Sequence, residues 1–136
     1  MRVDPYLYFQ GRCEEAFDFY RRALGAEVQT LVRFGDMPRS QAPDGNKVMH
    51  AVLRIGETTL LASDGENRGT TSFDGFGMAL SASSDKEAEQ LFAALAEGGQ
   101  VQMPLTPTPF ASRYGMLADR FGVPWMIVSQ AQPGQV

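Results

Sequence analysis

His50 is the single histidine of the 136-residue chain and Cys13 its single cysteine, and these two counts bound the chemistry open to the protein. One imidazole can act as a general base, or as a polar ligand contact, near neutral pH. The simpler role is a hydrogen bond to a backbone carbonyl that holds a loop. One thiol excludes an internal disulfide and a zinc site built on thiolates. One histidine excludes a two- or three-His metal site within a chain, although a dimer could bring two copies together. Cys13 falls in the first turn of a predicted helix, where the dipole lowers a thiol pKa, but Glu14 and Glu15 push the other way, so a small packing residue is expected. Asp36 and Asp64 follow predicted strands at loop starts. Such carboxylates can contact a ligand, yet at turns they usually bond their own backbone. Arg54 and Arg113 are candidates to hold an anionic ligand, against the plainer reading of surface ion pairs.

The elements that must position these groups are legible from periodicity. Tyr6 to Phe9 reads as an aromatic-rich strand. A helix follows Gly11-Arg12, with Glu14 and Glu15 in its first turn, an apolar stripe at Ala16, Phe19, Tyr20 and Ala23, and Gly25 as terminator. Val28 to Phe34 reads as a strand, Gly35 to Gly45 as a long loop, and Lys47 to Ile55 and Thr58 to Ser63 as a hairpin turning at Gly56-Glu57. Asp64 to Asp74 reads as a linker. The order then repeats: a strand at Met78 to Ala82, a helix opened by Ser84 and Glu87 as a capping box, Gly98-Gly99 as its end, and strands at Gln100 to Met103, Tyr114 to Ala118 and Trp125 to Val128. The helices align at a spacing of about 72 residues, Glu15-Ala16 with Glu87-Ala88 and Phe19-Tyr20 with Leu91-Phe92. The expectation is an α+β fold of two βαβββ modules, module 1 over about 1–68 and module 2 over about 69–136, within one domain.

Composition narrows the partners. The chain is 43% apolar, enough for a real core, with a formal net charge of −4 and no clustered Lys/Arg stripe, so nucleic acid is not an expected partner. No apolar run approaches the ~20 residues that span a bilayer, and no apolar signal core follows Met1-Arg2-Val3-Asp4-Pro5. A cytoplasmic protein without membrane or nucleic-acid partners is expected.

Several segments carry a resemblance. Tyr6-Leu7-Tyr8-Phe9, Cys13-Glu14-Glu15-Ala16, Phe34-Gly35-Asp36-Met37-Pro38, Val48-Met49-His50-Ala51, Leu60-Leu61-Ala62-Ser63-Asp64, Met103-Pro104-Leu105 and Tyr114-Gly115-Met116 through Asp119-Arg120-Phe121-Gly122-Val123-Pro124-Trp125 together resemble the PhnB-like branch of the glyoxalase/bleomycin-resistance (vicinal oxygen chelate) superfamily. Pro109-Phe110-Ala111 departs from the Phe-Trp or Trp-Gly pair frequent there. The resemblance implies curved sheets around a cavity and, commonly, a homodimer. Metal-dependent relatives carry His or Glu at cavity-facing strand positions, which correspond here to Pro5, Leu61, Gly77 and Met126. None of these side chains suits a divalent ion, so no metal and no cofactor are expected. A methyltransferase label sometimes given to such chains finds no support, since no glycine-rich strand-to-helix loop is present.

On strand alternation, Met49, Ala51, Leu53 and Ile55 pack under the helix, while Val48, His50, Val52 and Arg54 face the cavity. His50 is the candidate catalytic residue. Phe9, Phe34, Asp36, Arg54, Asp64, Arg113, Tyr114, Met126 and Val128 are the candidate ligand-binding residues, Phe9, Met126 and Val128 because they are taken to share a face with the lost metal positions. The leading reading is a metal-independent small-molecule binder whose ligand prefers an apolar cleft. The second is an isomerase or lyase using His50 as general base. The third is a structural or regulatory dimer without ligand.

Overall fold

The computed structural model describes residues 1–37, 45–65 and 71–130. Parts of the long loop (38–44) and of the linker (66–70) expected from the sequence lie outside the described residues. The chain divides into two compact units, Met1–Thr71 and Ser72–Val136. The first contains β1 (Tyr6–Tyr8), α1 (Cys13–Leu24), β2 (Glu27–Arg33), a 3-10 turn (Phe34–Asp36), β3 (Val48–Ile55) and β4 (Thr58–Ser63). The second contains β5 (Met78–Ala82), α2 (Asp85–Ala96), β6 (Gln100–Thr108), β7 (Ala111–Ala118) and β8 (Pro124–Gln130). The sheets have the same topology, β1-β4-β3-β2 and β5-β8-β7-β6. In each, the first strand lies parallel to the last and the other pairs are antiparallel. This is the α+β architecture of two βαβββ modules.

Each sheet buries one face under its own helix. In module 1 the alternation puts Leu7, Ala51, Leu53, Leu60 and Ala62 on that side, all buried, with Ala16, Phe17, Phe19 and Tyr20 of α1 buried as well. Burial of each large apolar side chain contributes about 1.5–3 kcal/mol. In module 2 the buried set is Ala88 and Leu95 from α2 with Leu117, Trp125 and Ile127 from the sheet. Close approach there depends on Gly115, where a Cβ would stand 2.8 Å from the Phe92 ring.

The helix ends follow ordinary chemistry, with one exception. Gly25 closes α1 in the left-handed region (φ 68°) and donates its N–H to the Arg21 carbonyl at 3.0 Å. In α2, Ser84 Oγ caps the Glu87 N–H at 3.1 Å, and Glu87 Oε1 reaches back past the cap to accept the Ser83 N–H at 3.0 Å, a local cap with its reciprocal bond one residue earlier than the capping box expected from the sequence. The start of α1 has no such device, because Arg12 supplies no side-chain cap. Asp64, at the end of β4, does it from a distance. Its Oδ1 accepts the Cys13 N–H at 2.8 Å and its Oδ2 accepts the Val48 N–H at 2.7 Å, while its own N–H donates to the Val48 carbonyl at 2.9 Å.

One element runs longer than its sequence pattern indicates. β6 extends to Thr108 through Pro104 and Pro107, past the Gln100 to Met103 expected from the sequence. The strand lies on the sheet edge, and its pairing with β7 is irregular between Met103 and Thr106 and between Thr106 and Thr108. An edge strand with bulges accommodates residues that lack an N–H.

Replacing the distant cap should therefore cost stability. Asp64→Ala is expected to lower unfolding free energy by about 3 kcal/mol, since two hydrogen bonds to a charged acceptor are lost and two N–H groups are orphaned. Urea unfolding checks this, and a loss below ~0.5 kcal/mol would show that the carboxylate holds nothing.

Candidate functional site

The sheet faces turned away from the helices carry the groups able to meet a ligand. In module 1, registers across β1, β4 and β3 align Tyr6 with Leu61 and Val52, and Tyr8 with Ser63. Val32 lies opposite His50, and Thr30 opposite Val52. On this face the imidazole of His50, half-buried, has its Nδ1 3.0 Å from the Tyr6 hydroxyl. The ring centroid of Tyr6 lies 5.6 Å from His50 and 4.9 Å from Tyr8, with interplanar angles of 31° and 32°. Three rings thus form a tilted ladder, and Tyr8 at its end is 52% exposed.

In module 2 the corresponding face is of another kind. Met126 of β8 lies opposite Met116 of β7, which lies opposite Met103 of β6. Beside this row of thioethers, Val128 pairs with Tyr114, and the Tyr114 ring meets the exposed Phe110 edge-on at 5.0 Å. Met and aromatic side chains in such a row make an adaptable apolar surface.

The sequence candidates divide accordingly. His50 and Arg54 lie on the open face of β3, as their alternation requires. Arg54 is exposed and braces the hairpin by donating to the Gly56 carbonyl at 3.0 Å. Tyr114, Met126 and Val128 share the open face of module 2. Phe9 does not face this way. It is buried with its ring 6.4 Å from Tyr20 of α1, because Leu7 and Phe9 share the helix side and Tyr6 and Tyr8 take the other. Asp64 is 2% exposed with both oxygens engaged by main-chain N–H groups, which gives it a structural role. Arg113 faces α2, 3.3 Å from Glu89 and 3.5 Å from Asp85, because β7 already begins at Ala111 and alternation sets Arg113 with Gly115 and Leu117, on the face opposite to that of Tyr114. Asp36 accepts the Arg33 N–H at 2.9 Å, the plain turn role. Phe34 is half-buried in the 3-10 turn, its N–H on the Lys47 carbonyl at 3.0 Å. Val48, assigned to the open side, is fully buried where Asp64 holds its backbone.

Tyr6 is the site residue that sequence reasoning missed. The run Tyr6-Leu7-Tyr8-Phe9 is aromatic or apolar throughout, so it shows no alternation, and a shift of one residue exchanges the faces.

A sequence model of the Glyoxalase/Bleomycin resistance protein/Dioxygenase superfamily matches residues 2–127. The chain belongs to this superfamily. It is 36% identical to Protein YjdN of Escherichia coli (strain K12), over 99% of this chain and 100% of that one. Among solved structures it is similar to protein PA1353 from Pseudomonas aeruginosa, at 44% identity and a TM-score of 0.87, covering 97% of this chain and 99% of that one. It also shares the fold of the PhnB protein from Bacillus cereus, with a TM-score of 0.81 at 24% identity, over 95% of this chain and 99% of that one. The PhnB-like resemblance of the sequence is matched by that fold.

The metal of the superfamily's metal-dependent members does not fit the residues present. Among the described residues no three His, Cys, Asp or Glu side chains gather where they could hold an ion. The open-face neighbour of Leu61 is Tyr6, whose hydroxyl is already engaged by the only imidazole. A row of thioethers offers no hard or borderline donor.

Cys13 is a packing residue. It is fully buried, and burial first, then the charges of Asp64 and Glu14, push its thiol up to about 12. A raised thiol pKa means that the thiolate is scarce below that value. The native protein at pH 8 is therefore expected to resist a thiol-specific disulfide reagent for hours and to react within seconds in urea. Rapid native labelling would show an accessible thiolate instead.

Proposed function

We propose that the protein binds a small, flat, amphipathic molecule without a metal, on the open face of module 1. The observation that carries this is the ring ladder of Tyr8, Tyr6 and His50. Two phenol rings provide area at low entropic cost, and the half-buried imidazole sits at the edge as the polar contact. Superfamily membership supports a small-molecule ligand, since the family's own description includes bleomycin resistance proteins. The Met103–Met116–Met126 row with Tyr114 and Val128 is a second surface able to take apolar groups. We further propose a cytoplasmic homodimer, supported by the PhnB-like resemblance. No helix among the described residues is long and apolar enough to cross a membrane.

The test is a panel of aromatic and amphipathic small molecules titrated by calorimetry. His50→Ala is expected to weaken the best binder about tenfold, equivalent to ~1.4 kcal/mol, with the unfolding midpoint little changed. Equal affinity in both proteins would remove His50 from the site. Turnover of a bound compound that is lost in His50→Ala would replace this reading with general-base isomerase or lyase chemistry. Stoichiometric zinc, nickel or iron in the purified protein would overturn the metal-independent part, and a single-chain mass by light scattering would overturn the dimer.

A further inference from the structure

We infer that Tyr6 is a positioning residue that fixes the tautomer of His50, so that the imidazole presents an N–H donor to its ligand and not a basic nitrogen. The inference rests on the proposed binding site and assigns its ligand class: a flat ring bearing an acceptor oxygen, a carboxylate or carbonyl.

A phenol has one hydrogen to give, and a neutral imidazole has one N–H and one acceptor nitrogen. The 3.0 Å contact joins the Tyr6 hydroxyl to His50 Nδ1. Among the described residues the Tyr6 hydroxyl has no second partner, so its hydrogen is satisfied by donation to Nδ1. That nitrogen must then carry the lone pair, and the proton of the neutral ring resides on Nε2. The opposite arrangement, Nδ1–H donating to the phenol oxygen, leaves the phenol hydrogen with no protein acceptor among the described residues.

The consequence is selective. An Nε2–H can donate to an oxygen acceptor on a ligand but cannot take a proton from it. Among the described residues, the open-face neighbours that pair with or adjoin His50 are uncharged: Val32 lies opposite it, Val52 follows on its own strand, and the rings of Tyr6 and Tyr8 complete the ladder. A ligand ring stacking on Tyr8 would find the donor at the edge of the platform. A ring carrying an ammonium group, itself only a donor, would meet the same N–H with nothing to accept it.

Because the chain has one histidine, a long-range proton–nitrogen correlation spectrum of histidine-labelled protein reads this ring alone. On the neutral ring the expected result is a single Nε2–H pattern. Tyr6→Phe is expected to relax it toward a mixture of tautomers. An Nδ1–H pattern in the wild type, or an unchanged pattern in Tyr6→Phe, overturns the role of Tyr6. The wild-type spectrum decides the tautomer even if the variant does not fold. Benzoate and benzylamine then test the ligand class at equal millimolar concentration. Benzoate is expected to move the His50 resonances at least threefold further than benzylamine. Equal movement by both overturns the acceptor preference and leaves the aromatic-binding reading standing; no movement by either overturns both.

Discussion

A carboxylate at the end of β4 holds the first module together. Asp64 lies 51 residues from the helix it caps, yet it supplies the acceptor that the start of α1 lacks. Its second oxygen takes the first N–H of β3. One side chain therefore fixes where the helix begins, where the middle strand begins and where the last strand ends. These three ends define the sheet face that α1 covers, and by subtraction the face that it leaves open. A buried carboxylate tolerates this position because main-chain N–H groups meet both its oxygens.

The two modules share a topology but solve the same end problem differently. Module 2 starts its helix with a cap three residues from its partner, Ser84 with Glu87. Its own buried carboxylate, Asp119, holds the β7–β8 turn through the N–H groups of Phe121 and Val123 and reaches the indole of Trp125 at 2.9 Å. The faces left open also differ: module 1 carries the rings and the imidazole, module 2 the thioether row. The two modules share strand order and helix placement, because burial of one sheet face demands them. No such demand falls on the open faces, and these differ in chemistry.

The candidate site depends on which residues of a three-residue strand face outward. β1 is Tyr6–Tyr8, too short and too uniformly apolar to announce its own face. Its parallel pairing with β4 decides the matter by setting Tyr6 beside Leu61 and Leu7 beside Ala62. Ala62 and Leu7 are buried, so Tyr6 must look the other way, where His50 stands. The imidazole thereby gains its partner from the far side of the sheet, 44 residues away in sequence.

The element order, the repeat, the local cap at Ser84, the glycine stop at Gly25 and the outward placing of His50 and Arg54 on β3 were all determined by the sequence by itself, since each rests on neighbours within a few residues or on strand alternation. The path of β6 through two prolines, the capping duty of Asp64 and the pairing of Tyr6 with His50 were decided only by the tertiary structure. Each of these depends on partners brought together by strand pairing, and a period-2 pattern cannot report its own phase when every residue is apolar or when a bulge inserts an extra one.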